Sequence, residues 1–436
     1  MNSQEIREKH GQFTFATANY YKEPIALVRG EGTRLWDADG REYLDFFGGI
    51  LTVSLGHCQK DVTAAVREQV GVLVHASTLY PMEPLVRLAE RLAQITPGGG
   101  RLRRSFFTNS GTEADETAIT LAKVHTGESE IIALRHAYSG RSLLAQTVTA
   151  HARYRPHGSQ VPGVVHAVSP YCYRCPFGLT YPSCELKCAQ DIEELILTTT
   201  CGRPAAFIAE PIQGVGGFIT PPKEYFQVAV GIVRKHGGLF ICDEVQTGFG
   251  RTGESWCGIE HWNVEPDIVT FAKGIANGFA LGATTTTDEI AKSWQAATIS
   301  TFGGNPVSAT AALATLDVMA RENIPERAAR LGARLRERLG LLKEKHPLVG
   351  DVRGLGLMQA VELVRDRKTK QPAMEETDAF MEACKRRGLL IGKGGLYGNV
   401  ARLSPPMLIE PAEIDAACDR MDQALSEVER GGAPAR

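Results

Sequence analysis

The lysine in "PDIVTFAKGIANGF" stands where a side chain can do chemistry. Lys273 closes a short apolar run. An amine held there is poorly solvated, which lowers its pKa and makes it nucleophilic. A lysine that snorkels to water from a strand end is the ordinary alternative. Upstream, "GGLFICDEVQTGFG" ends a second apolar run in Asp243 and Glu244. Two acids in that position need partners. Asp243 is placed to meet a ligand's positive group, with an ion pair to a neighbouring helix as the structural alternative. A third run, "RRSFF", leads into "TNSGTEADE", Thr108 to Glu116. At a turn that opens a helix, the backbone N–H groups of Ser110, Gly111 and Thr112 form an anion cradle. The same residues also read as a plain N-cap. A fourth run, "AAFIA", ends in "EPIQGVGG", which adds Glu210 and Gln213. An activated lysine, a carboxylate and a phosphate cradle are together what pyridoxal phosphate requires. The lysine makes a Schiff base, the carboxylate keeps the pyridinium nitrogen protonated, and the cradle anchors the phosphate.

These residues need elements to hold them. The runs "RSFFTN", "SEIIALR", "PAAFIAEP", "GGLFICDE" and "PDIVTFAK" are apolar on both faces and alternate with amphipathic helices such as Pro84 to Ile95. That pattern predicts a mostly parallel sheet covered on both sides. Ligands bind such sheets at the carboxyl ends of the strands, where the four candidate clusters fall. "TRLWDADGREYLDFF", Thr33 to Phe47, reads as a hairpin turning at Asp39-Gly40. After about residue 307 long helices resume. A β unit, "DVRGLGLMQAVELV", and a helix from Pro411 follow, and the tail "RGGAPAR" is expected to fray. With 436 residues, 43% hydrophobic and 22% charged, the chain has the composition of a two- or three-domain globular protein. Its formal charge of -2 gives no field to recruit nucleic acid or an anionic membrane. No apolar run is long enough to span a bilayer, and the polar N-terminus argues for a cytoplasmic protein with free thiols.

The motifs "LFICDEVQTGFGRTG", "PDIVTFAKGIANGFALGA", "FFTNSGTEADETAITLA", "STFGGNP" and "VARLSPPMLI" occur here in one order. On them the chain resembles the class III pyridoxal-phosphate aminotransferases of fold type I, from about Tyr20 to Ile409. The resemblance implies an α/β fold: a large domain with a mostly parallel seven-stranded sheet flanked by helices, plus a small α+β domain. We divide the chain into an N-terminal segment at 1–55, a large cofactor domain at 56–306 and a small domain at 307–436. Lys273 would carry the cofactor and move a proton as general base then acid, and Asp243 would pair with the pyridine nitrogen. Val245 would pack beneath the ring, with Tyr138 stacked on the other face. Gln246 would bond the phenolic oxygen, and Gly111 and Thr112 the phosphate. Glu210 would be the buried acid near Asp243 and Gln246. Ser139 stands where many members carry histidine. Thr301 matches a phosphate ligand from a second subunit, which implies a homodimer with shared sites, with tetramers left open. Arg402 matches the arginine that receives a substrate carboxylate, a bidentate task, and Tyr20 an aromatic at the substrate entrance.

One departure bears on the substrate. The ornithine, acetylornithine and many 4-aminobutyrate enzymes have a glutamate after the Q-G pair, where "PIQGVGG" has Val215. Valine cannot neutralise an arginine. The sequence is therefore closer to the alanine–glyoxylate type 2 and ω-amino acid–pyruvate branch. That branch points to pyruvate or glyoxylate as oxo substrate and to alanine, β-alanine, 4-aminobutyrate or a related ω-amine as partner. A phospho-lyase, or another pyridoxal-phosphate reaction, would use the same Lys273 and Asp243. "GFGRTG", Gly248 to Gly253, matches an NAD fingerprint literally but lacks the strand, turn and helix in direct succession. Finally, Cys172, Cys175, Cys184 and Cys188 are spaced C-x2-C-x8-C-x3-C. The spacing is loose for zinc, and the expectation is a thiol-bearing loop with no metal.

Overall fold

Seven short strands build the central sheet: β1 (Arg104–Thr108), β2 (Ile131–Leu134), β3 (Val164–Ala167), β4 (Ala206–Ala209), β5 (Leu239–Asp243), β6 (Ile268–Phe271) and β7 (Gly282–Thr286). Their order across the sheet is β1-β7-β6-β5-β4-β2-β3. Only β7 runs against the others, pairing antiparallel with β1 and β6. The rest run parallel, so the loops after β1, β4, β5 and β6 leave from one edge. In this computed structural model residues 1–15, 19–158 and 161–431 are described. The expected frayed tail falls mainly on 432–436, outside them.

Burial explains the strands. β2, β4 and β6 are buried at every position, as Val, Ile, Phe and Ala on both faces require. Helices Lys187–Thr199 and Tyr225–Lys235 cover the sheet near β4 and β5. There Phe207 stacks on Phe240 at 5.8 Å, and Phe226 meets Trp262 edge-on at 5.4 Å. Helix Gly111–Thr126 packs against β1, β5, β6 and β7, burying Ala114, Asp115, Ala118, Ile119 and Ala122.

The expected hairpin joins Arg34–Asp37 to Glu42–Asp45, and only Gly40 of its Asp-Gly pair is left-handed, at φ 83°. Leu389 and Leu390 add a parallel strand beside Leu44 and Asp45. This ties the N-terminal sheet to the C-terminal region. There an antiparallel sheet joins Val349–Leu355, Met358–Asp366, Val400–Leu403 and Gly392–Gly394, backed by helices Ile324–Lys345 and Pro411–Gly431. No helix among the described residues is long and apolar enough to cross a membrane.

Candidate active site

The ends of β1, β5 and β6 surround a cavity of about 330 Å³, a size suited to a small ligand. Ser110, Gly111, Thr112, Tyr138, Asp243, Val245, Gln246 and Lys273 all line it, as does Ser139. Two of the cradle readings hold together. Ser110 is the N-cap of helix Gly111–Thr126, its hydroxyl accepting from Glu113 N at 3.3 Å. The first amides of that helix, Gly111 and Thr112, lack intrahelical partners by their position and face the cavity. Close approach is built in. A Cβ at Gly140 would overlap Thr112 Oγ1, and one at Gly214 would overlap the amide of Gln246.

Lys273 follows β6 with φ at 45°, a left-handed backbone that strains a residue with a Cβ. Three acids approach it. Asp243 accepts from Val245 N at 3.0 Å. Glu210 accepts from Tyr138 N at 3.2 Å and Gly214 N at 2.7 Å. Asp115 accepts from Thr270 Oγ1 at 2.7 Å. Burial lowers the Lys273 pKa, against the pull of Asp243 and Glu210. Burial pushes Glu210 up to about 8, helped by the charge of Asp243. Asp243 is pushed up to about 6 by burial, which the Val245 amide and Lys273 oppose. The cavity therefore holds more acid than its single lysine neutralises. A cationic ligand group fits that imbalance. Gln246 Oε1 is buried here without a partner, a further place for a ligand.

Arg402, on strand Val400–Leu403, is 1% exposed. Its guanidinium donates to Tyr20 Oη at 2.9 Å, Lys393 O at 3.1 Å and Gly214 O at 3.3 Å. It lies over Phe47 at 4.9 Å and Phe218 at 5.7 Å. All three acceptors are neutral, so a buried cation lacks an anion. Tyr20 and Arg402 are thus brought together. Thr301 is not brought to the cavity; it sits on an exposed segment beside exposed Phe302.

Other readings change. Gln213 is not a cavity group: it accepts from Ser169 Oγ at 2.7 Å and donates to Arg135 O at 2.8 Å. Glu244 finds the partners a buried acid needs in the backbone, accepting from Gly258 N at 2.9 Å and Ile259 N at 2.8 Å. As expected, no helix directly succeeds Gly248–Gly253, and Arg251 within it is buried against Leu357 O and Pro405 O. Asp115 was missed. A signal existed, since it shares the buried helical face of Ile119 and Ala122 at spacings of four and seven. Tyr154 was also missed, and meets Tyr138 edge-on at 5.2 Å.

The cysteine run is a docked loop. Its four thiols line one space of about 20 Å³. All ten cysteines are free, and among the described residues no group of three or more His, Cys, Asp or Glu is arranged to hold a metal. Arg174 Nε meets Glu362 Oε1 at 2.5 Å, and the Tyr171 hydroxyl also donates to Glu362. Arg353 Nη1 bonds the same carboxylate at 2.7 Å. The run therefore grips the C-terminal sheet.

Residues 15–425 match the family described as aminotransferase class-III. The chain is 46% identical over 409 residues to "Alanine--glyoxylate aminotransferase 2 homolog 2, mitochondrial" of Arabidopsis thaliana, covering 94% of this chain and 84% of that protein. It is similar to a thermostable (S)-enantioselective omega-transaminase from Thermomicrobium roseum, with 37% identity, a TM-score of 0.90, and 98% and 99% of the two chains covered. An amine transaminase from an uncultivated Pseudomonas species, solved with PLP bound, matches at 33% identity and a TM-score of 0.88, covering 95% of this chain and 98% of that one.

Proposed function

The chain belongs to the class III aminotransferases, and on that premise we propose that it exchanges an amino group between alanine, β-alanine, 4-aminobutyrate or a related ω-amine and a small oxo acid, pyruvate or glyoxylate. It is a pyridoxal-phosphate-dependent transaminase. The cofactor, when bound, supplies an electron sink for the substrate's amine-bearing carbon. The residues present fit it. Gly111 and Thr112 would hold the phosphate at the helix N-terminus, with Ser110 capping that helix. Asp243 would face the ring nitrogen, supported by Glu210. Val245 and Tyr138 would flank the ring, and Gln246 would bond the phenolic oxygen.

Lys273 carries the proton work. Burial lowers its pKa and so favours the amine form that takes a proton from the donor carbon and returns it. Arg402 would clamp the substrate carboxylate, with Tyr20 setting the guanidinium's orientation. Val215 offers no acid to Arg402, while its backbone accepts from Gly395 N at 2.9 Å beside the same strand. The observation that carries this reading is the buried lysine ringed by three acids beside an open helix N-terminus. A donor and acceptor screen on purified enzyme tests it. Pyruvate or glyoxylate should exceed 2-oxoglutarate as acceptor, and comparable turnover with 2-oxoglutarate overturns the preference.

We propose a homodimer in which Thr301 completes the neighbouring subunit's phosphate site. Support comes from its exposure and from the apolar surface around it: Val72, Leu79, Tyr80, Ile299 and Phe302 are exposed, and His75 meets Phe302 at 5.1 Å. We also keep the division at 55 and 306; the pairing of Leu389 and Leu390 with the N-terminal hairpin supports placing 1–55 with the small domain. A cytoplasmic location is proposed on the ten free thiols, which suit a reducing compartment.

A further inference from the structure

Asp115 has no part in the roles above, yet it lies against them. It is 1% exposed on the buried face of helix Gly111–Thr126 and lines the cavity with Asp243. Thr270 Oγ1 donates to its Oδ1 at 2.7 Å. Thr270 is the register partner of Asp243 across the parallel pair β5 and β6. Register partners leave a sheet on the same face. The helix therefore sets the Asp115 carboxyl beside Asp243.

Two carboxyl groups in contact in a dry site cannot both ionise; one keeps a proton and donates it as a hydrogen bond. The surroundings decide which. Asp243 has the Val245 amide and the charge of Lys273 to stabilise its anion. Asp115 has one neutral hydroxyl, and burial with the charge of Asp243 pushes it well above the carboxylate range. Glu210 and Lys273 are the other charged groups facing it, and Glu210 is turned to the amides of Tyr138 and Gly214.

We propose that Asp115 is a protonated positioning residue whose carboxyl donates to the Asp243 carboxylate and accepts from Thr270, fixing the orientation and proton affinity of the acid that faces the cofactor nitrogen. The pair carries one proton and one negative charge, and no bond is made or broken. This rests on the proposed role of Asp243.

The test compares holoenzymes of wild type, Asp115→Asn and Asp115→Val. Wild type should show protonated-carboxyl infrared absorption at neutral pH with two components, one lost only in Asp115→Asn and one, from Glu210, lost only in Glu210→Gln. An amide also donates to Asp243 and accepts from Thr270, so Asp115→Asn should keep the wild-type pH profile of cofactor absorbance and of kcat/KM. Asp115→Val removes the donor, raises the proton affinity of Asp243, and should move the acid limb of both profiles upward by about one pH unit. Equal impairment in the Asn and Val variants overturns the proposal, because Asp115 would then act as a charge. A Val profile that coincides with wild type also overturns it. If the valine variant does not fold, the infrared comparison still decides, since absorption in Asp115→Asn identical to wild type, with no component lost, denies the proton. The Asp243 role fails separately, as an Asp243→Asn holoenzyme with unaltered cofactor absorbance and turnover.

Discussion

Two buried glutamates, each in a region whose sequence suggested chemistry, behave in opposite ways. Glu210, buried behind the cavity beside Asp243, accepts only two backbone amides, and burial drives its pKa up to about 8. Glu362, beneath the cysteine run, is also penalised by burial, but Arg353, the Tyr171 hydroxyl and Arg174 outweigh that and hold it below its ordinary range. One region leaves its acids without enough cationic partners, which raises their proton affinity, and awaits a ligand. The other is already neutralised and acts as a clamp between a loop and a sheet. Unusual residues therefore mark function where their electrostatic account stays open.

The contrast can be broken in four ways. Lys273→Ala, which removes the cavity's cation, should cost at least about 10⁴-fold in transamination while circular dichroism shows the fold retained; full activity would remove the lysine from the mechanism. Glu362→Ala strands Arg174 and leaves Arg353 with Asp351 as its only carboxylate, and should destabilise the protein by about 3 kcal/mol in denaturant unfolding. A loss under 1 kcal/mol would mean the clamp is decorative.

Arg402→Leu should lower kcat/KM about 100-fold for carboxylate-bearing donors and spare amines that lack a carboxylate. Equal losses for both would deny it the clamp. Replacing Cys172, Cys175, Cys184 and Cys188 together by serine should change turnover within about two-fold. Burial raises the Cys172 thiol and pushes Cys188 up to about 12, away from the reactive thiolate. A large loss, or stoichiometric zinc in the wild type, would return chemistry to the loop.

The pH dependence of stability sharpens the same comparison. Glu210 is raised in the fold, so its contribution is full below its ordinary pKa near 4.5 and is lost as pH climbs toward about 8. Glu362 is lowered, so its contribution is full above that ordinary value and is lost as pH falls below it.

Much of this was legible in the residues. Strands buried on both faces declared themselves as unbroken apolar runs, and the polar groups ending β5 and β6 exposed the site. β7 was not read, because "GATTT" looks polar; its threonines are buried and spend their hydroxyls internally, as Thr284 does on Ala114 O at 2.8 Å. β3, "VVHA", is short and carries a histidine that bonds Val148 O at 3.1 Å. Gln213 misled because a strand end has two sides, and only geometry shows which one a side chain takes. The docking of Arg174 on Glu362 joins residues 188 positions apart, and no local pattern carries such a pairing. Thr301 is the reverse case: its proposed role rests on the family motif, because the site it would serve belongs to another subunit.

The central claim is that the cavity's buried lysine is the residue bearing the cofactor. Borohydride reduction of the purified holoenzyme followed by peptide mass mapping tests it directly. The account predicts a single pyridoxyl-phosphate adduct on the peptide containing Lys273. An adduct on another lysine, with Lys273 unmodified, would contradict it.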